Sequence, residues 1–240
     1  MATIQTTATA SITLGISVLL TACGGGDKMT QTAEHCFDDK KYQSGNIFLQ
    51  ENSFPALNRN YSITYSNYIP QSFNGHDNLI MHKKISREIL PSGQLSASYV
   101  ETETYIAPVT AHVYEEYGSN VTSFSGTMPR LQQYTYSPPM IDRSATLELG
   151  QTQSLQATGT LRMLPPGTIA PHTFIRNSSY LEDANLTIGN RTITACKFKT
   201  GSGSSTGYEW IYKGFVIQSS GDGKNIDMAT TKLTRNGQDY

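Results

Sequence analysis

The run Tyr208–Gln218, YEWIYKGFVIQ, decides how the rest of the chain is read. Aromatic and β-branched residues dominate it, the composition that fits a pleated, half-buried surface. At the two-residue period of a strand, Tyr208, Trp210 and Tyr212 share one face, continued by Gly214 and Val216. Ile211, Phe215 and Ile217 share the other. Both faces are apolar, so the run is expected to be a central strand covered on both sides.

Moving outward from it, the same pattern recurs. Leu186-Thr187-Ile188 and Arg191–Lys199 flank Gly189-Asn190, a two-residue hairpin signal with glycine first. On the other side, Gly221-Asp222-Gly223 precedes a strand at Ile226–Arg235. Upstream, Leu155–Leu164 reads as a strand stopped by Pro165-Pro166-Gly167, Ala145–Leu149 leads to Gly150, and Tyr136-Ser137-Pro138-Pro139 reads as a break. Tyr61–Tyr68 precedes the turn signal Asn74-Gly75, and Tyr99–Ile106 and Val109–Tyr117 form a pair split by Pro108. Leu79–Leu90 fits either a long strand or a short helix. Turn signals spaced roughly 8–12 residues apart belong to all-β folds. The expectation is one antiparallel β domain with room for one or two short helices.

Composition narrows the function classes. Charged residues are 15% of the chain, against about 25% in an average soluble protein. Hydrophobic residues at 37% and aromatics at 10% supply a core and exclude wholesale disorder. A net charge of −1 with no basic run excludes a nucleic-acid partner, whose phosphates need clustered Lys and Arg.

The N-terminal region carries its own signal. No charged side chain precedes Asp27, and Ala8–Leu20 is apolar but short of the ~20 residues that span a bilayer. It fits the hydrophobic region of a secretory signal. Leu20-Thr21-Ala22-Cys23 follows at once, then Gly24-Gly25-Gly26, and this resembles the lipobox of bacterial lipoproteins. The resemblance implies that residues 1–22 are a signal peptide and that the Cys23 thiol accepts the lipid. Each acyl CH₂ buried in the membrane contributes about 0.8 kcal/mol to such an anchor. Residues 23–35 are then the lipidated cysteine and a flexible linker, and residues 36–240 a single β-rich domain. With Gly24 beside the cysteine, the resemblance implies an outer-membrane anchor facing the periplasm.

Once Cys23 is acylated, Cys36 and Cys196 remain. An even count in an oxidising compartment suggests a disulfide, with two separately buried thiols as the alternative. His35 adjoins Cys36, but His76, His82, His112 and His172 are scattered without ligand spacing, so neither a metal nor another cofactor is expected.

Tyr136-Ser-Pro-Pro139, Leu147-Glu-Leu-Gly150-Gln, Ile193-Thr-Ala-Cys196-Lys-Phe198 and Trp210-Ile-Tyr-Lys-Gly214-Phe-Val216 form an ordered set. Over residues 134–235 it resembles a group of uncharacterised bacterial periplasmic proteins and lipoproteins. Their fold is similar to the lipoprotein carriers LolA and LolB. The resemblance implies a curved, half-open, barrel-like sheet.

Catalytic signals are thin. Gly203-Ser-Ser205-Thr-Gly207 matches G-x-S-x-G, but a nucleophile elbow needs a strand-to-helix turn and a later histidine, and none follows His172. Asp38-Asp39 and Glu115-Glu116 are adjacent carboxylates, which on a strand point to opposite faces. The face of Tyr208, Trp210 and Tyr212 is more informative. It reads either as the wall of an apolar groove, which Tyr and Trp suit, or as core. The expected function is that of a membrane-anchored, non-enzymatic envelope lipoprotein that binds a hydrophobic ligand or an envelope protein through its curved sheet. A structural or assembly lipoprotein without a groove is the alternative, and a hydrolase the least favoured.

Overall fold

The computed structural model describes residues 31–41, 45–57, 59–68, 79–89, 95–106, 114–125, 128–164 and 167–240. The leader, Cys23 and the Asn74-Gly75 turn lie outside them. Among the described residues, thirteen strands pair in sequence order in one sheet. They are β1 (Ile47–Phe54), β2 (Arg59–Tyr68), β3 (Leu79–Ile89), β4 (Leu95–Ile106), β5 (Tyr114–Ser125), β6 (Met128–Asp142), β7 (Thr152–Leu164), β8 (Thr168–Ile188), β9 (Arg191–Ser202), β10 (Ser205–Tyr212), β11 (Phe215–Ser220), β12 (Met228–Arg235) and β13 (Gln238–Asp239). The ladders are antiparallel throughout. The expected all-β, curved sheet is present, and it does not close into a barrel. β12 leaves β11 after two residue pairs, Gln218↔Ala229 and Ser219↔Met228, and runs instead along β1. Among the described residues, helical structure is confined to short 3-10 turns such as Ala33–Cys36 and Ser144–Thr146.

One alternative is settled and two elements depart from the sequence reading. Of the stretch read as strand or helix, Leu79–Ile89 is strand, pairing β2 on one side and β4 on the other. The Ser137-Pro138-Pro139 stretch does not break the chain. β6 runs through it, because the pairing to β5 skips from Thr135 to Met140 and the pairing to β7 ends at Tyr136. The prolines, which cannot donate to a ladder, therefore sit where no ladder bond is required.

The largest departure is in Tyr208–Gln218, which is a hairpin rather than one strand. Tyr212 pairs Phe215 across a turn formed by Lys213 and Gly214, whose φ values are 50° and 80°. Positive φ at both central residues is the type I′ geometry whose twist matches that of paired strands. The turn changes the parity of the three residues that follow it, Phe215 to Ile217. Phe215 and Ile217 fall on the Trp210 face, while Val216 faces Ile211 across the ladder. A bulge in β11 sets both Ile217 and Gln218 against Trp210. Coverage on both faces is observed, as two clusters. One gathers Phe48, Ile63, Tyr65, Ile193, Trp210, Phe215, Ile217 and Leu233. The other gathers Ala33, Cys36, Leu147, Tyr180, Cys196, Phe198 and Ile211.

Candidate functional site

The face of Tyr208, Trp210 and Tyr212 is core. Trp210 is 5% exposed, and Tyr208 and Tyr212 pack partly buried against the same cluster. Rings fill the space in front of it: Phe215 lies 5.0 Å from Phe48 and 5.1 Å from Tyr65 between centroids. At one end the Lys197 ammonium sits over the Trp210 ring at 5.2 Å and the Tyr208 ring at 5.5 Å. It also binds Glu182 at 3.0 Å. The loop after β11 closes over Tyr208, whose ring lies against Gly223. The aromatic face is thus packed by β1, β2, β9, β11 and this loop.

Ser205 opens β10 opposite Ser202, directly after a two-residue turn at Gly203-Ser204. That is a hairpin strand, not the strand-to-helix turn an elbow requires. Asp38 accepts a hydrogen bond from the Tyr240 hydroxyl. His172 stacks edge-on against Tyr134 at 5.0 Å, on the β6–β8 surface.

The segment from Gln31 to Lys41, partly read as linker from the sequence, is bound to the sheet by a series of contacts. Ala33 is buried, and its N–H donates to the Leu147 carbonyl. The Gly214 N–H donates to the Cys36 carbonyl, and Lys41 Nζ donates back to the Gly214 carbonyl at 2.6 Å. The β10–β11 turn and this segment therefore hold each other. Cys36 and Cys196 are joined by a disulfide with Cα atoms 5.9 Å apart, and both are fully buried.

Around that disulfide the fold assembles a corner that the sequence does not announce. Asp183 on β8 lies directly opposite Cys196 on β9. The Asp183 Oδ1 atom is 3.1 Å from His35 Nε2 and accepts a 2.7 Å hydrogen bond from the Tyr180 hydroxyl. Its Oδ2 accepts one from Gln31. Burial, then the Asp183 hydrogen bond and charge, push the Tyr180 phenol well above its ordinary range, so it keeps its proton and donates. The other imidazole nitrogen, His35 Nδ1, is 3.1 Å from the Thr32 carbonyl, an acceptor that orients the ring. His35, Cys36, Asp183 and Cys196 thus place one potential ligand atom each within 4.8 Å of all the others.

The sequence reading names His35 only as the neighbour of Cys36 and does not reach Asp183, yet a signal existed. The Gly189-Asn190 turn fixes Ile188 against Arg191. Counting outward from it sets Asp183 against Cys196, and cross-strand pairs share a face. No protein-family model, curated protein or solved structure matches the chain.

Proposed function

We propose that the protein is a membrane-anchored, non-enzymatic lipoprotein of the bacterial envelope, probing no acyl chain with its Trp210 face and serving a structural or assembly role. The observation that carries the choice between groove and scaffold is the packing of Trp210 at 5% exposure, with Phe215, Ile217 and Phe48 in front of it. An indole in a filled core has no room for a ligand chain. The anchor rests on the leader and on Leu20-Thr21-Ala22-Cys23. From Cys23 to Gln31 the chain can reach at most about 30 Å, which keeps the folded body close to the outer membrane on this reading.

A protein partner is the second reading, favoured by Ile169 and Ile175 on β8. They are 64% and 43% exposed and lie on one face of the strand. The decisive experiment is mass spectrometry of the N-terminus extracted from membranes, together with fractionation. A diacylated Cys23 in the outer membrane is the expected result. An intact Met1, or a leader cut elsewhere, sinks the lipoprotein reading.

A further inference from the structure

We propose that reduction of the Cys36–Cys196 disulfide converts its corner into a binding site for one zinc-class divalent cation, held by both thiolates, His35 Nε2 and Asp183 Oδ1. The two sulfur atoms are bonded in the structure, so the site belongs to the reduced protein.

The geometry carries the inference. A tetrahedral ion with bonds of about 2.3 Å to sulfur and about 2.0–2.2 Å to nitrogen and oxygen sets neighbouring ligand atoms roughly 3.3–3.8 Å apart. Cys196 Sγ is already 3.6 Å from His35 Nε2 and 3.5 Å from Asp183 Oδ1. His35 Nε2 is 3.1 Å from that same oxygen. Three edges of the tetrahedron are therefore close to size before any ion enters. Cys36 Sγ lies within 4.8 Å of both His35 Nε2 and Asp183 Oδ1, so the remaining changes are a small approach along these two edges and the parting of the sulfurs from bonding distance to about 3.7 Å, the spacing of two thiolates on one ion.

The surroundings match a ligand set as well. Nδ1 of His35 faces the Thr32 carbonyl, the contact that directs the other ring nitrogen at a metal. The Asp183 carboxylate is steadied by Tyr180 and Gln31. The sulfurs are buried, whereas the His35 and Asp183 side chains are 41% and 26% exposed. An ion can enter from solvent over these two and meet the thiolates beneath. Two cysteines, a histidine and a carboxylate favour zinc over calcium or magnesium, which take oxygen ligands.

The chemistry balances with a dithiol reductant. It breaks the S–S bond, delivers two electrons and two protons to give the Cys36 and Cys196 thiols, and closes its own disulfide. The cation then displaces the two thiol protons, which leave to solvent.

The test is anaerobic titration of Zn²⁺ and Co²⁺ into the full chain, oxidised and reduced. The reduced protein is expected to take up one ion, release two protons and, with Co²⁺, show the sulfur-to-cobalt charge transfer and ligand-field bands of a tetrahedral site. The oxidised protein is expected to show neither. The double variant His35→Ala, Asp183→Asn is expected to lose at least about tenfold in affinity. Where reduction unfolds the chain, Zn²⁺ is expected to restore its β-sheet circular dichroism, and the double variant is expected not to respond. The proposal is overturned if the reduced protein binds no ion or if added Zn²⁺ fails to refold an unfolded reduced chain. Equal affinity of the double variant, or equal uptake by the oxidised protein, overturns it too.

Discussion

The hydroxyl of Tyr240 donates to Asp38 Oδ2 at 2.5 Å, joining the strap that precedes β1 to the residue that follows β13. Lys213 completes the group, its ammonium 3.9 Å from the centre of the Tyr240 ring. Burial acts to raise the Asp38 carboxyl, but the Tyr240 hydroxyl, the Lys40 N–H and the charges of Lys40 and Lys213 together hold it below the usual range. The Tyr240 phenol is pushed above its ordinary value, by burial first and by Asp38 second.

These shifts limit stability from both sides. A carboxyl with a lowered folded pKa stabilises above its unfolded value of about 3.9, and that contribution is lost as pH falls through the folded value. A phenol with a raised pKa stabilises fully below about pH 10 and loses that contribution as pH climbs. Denaturant titrations across pH are expected to show a plateau falling at each end. Tyr240→Phe should flatten both slopes and cost about 1.5–3 kcal/mol at neutral pH, the usual net worth of a hydrogen bond to a charged group. Superimposable profiles would remove the assignment.

Trp210→Ala should cost about 3–5 kcal/mol, the penalty for emptying a large aromatic site in a packed core. Tryptophan emission of the native protein is expected to be blue already and unmoved by added long-chain lipid. A lipid-induced blue shift with little loss of stability in the variant would restore the groove reading.

At the β10–β11 turn, Gly214→Ala should destabilise the protein by about 1–2 kcal/mol, the cost of left-handed backbone for a residue with a Cβ. The added methyl would also lie 3.1 Å from Lys41 Cδ. Thermal melts would read the loss, and an unchanged midpoint would contradict the type I′ turn.

Gln50 is 1% exposed and sits within a buried polar network. Its amide donates to the Val216 carbonyl at 2.7 Å and the Thr230 hydroxyl at 2.8 Å, and its Oε1 accepts from Tyr65 at 3.0 Å. Gln50→Leu should cost about 1–3 kcal/mol by removing these hydrogen bonds from a buried polar site. Parallel Tyr65→Phe, Gln50→Leu measurements would show coupling: the double variant should cost less than the two single losses combined.

How much was legible turns on which residues carry the signal. Gly189-Asn190 announced its hairpin because glycine at the first position takes the φ of 58° that the turn demands. Lys213-Gly214 did not, because lysine is no usual left-handed residue and apolar side chains continue without interruption on both sides. Missing that turn misplaced Phe215 and Ile217 by one face. β8 was seen only at Leu186–Ile188, since much of its alternation sets polar residues outward and leaves few apolar markers. β1 was not picked out at all, although Phe48 is fully buried. The corner of His35, Cys36, Asp183 and Cys196 is a product of register: no local motif joins a 3-10 turn to a hairpin so distant in the chain.

The pairing of Phe48 with Arg235 also sets an order of events. A chain made from its N-terminus presents β1 first, yet that strand meets β12 only after the intervening sheet has been synthesised. Contacts of such long range slow folding, because the loop entropy is lost before the contact returns anything. Until then β1 leans on β2 alone and shows an open row of amides and carbonyls, the template on which neighbouring nascent chains stick. A chain truncated before Met228 would keep that edge permanently. The last strands are therefore the ones that turn a sticky, growing sheet into a finished molecule.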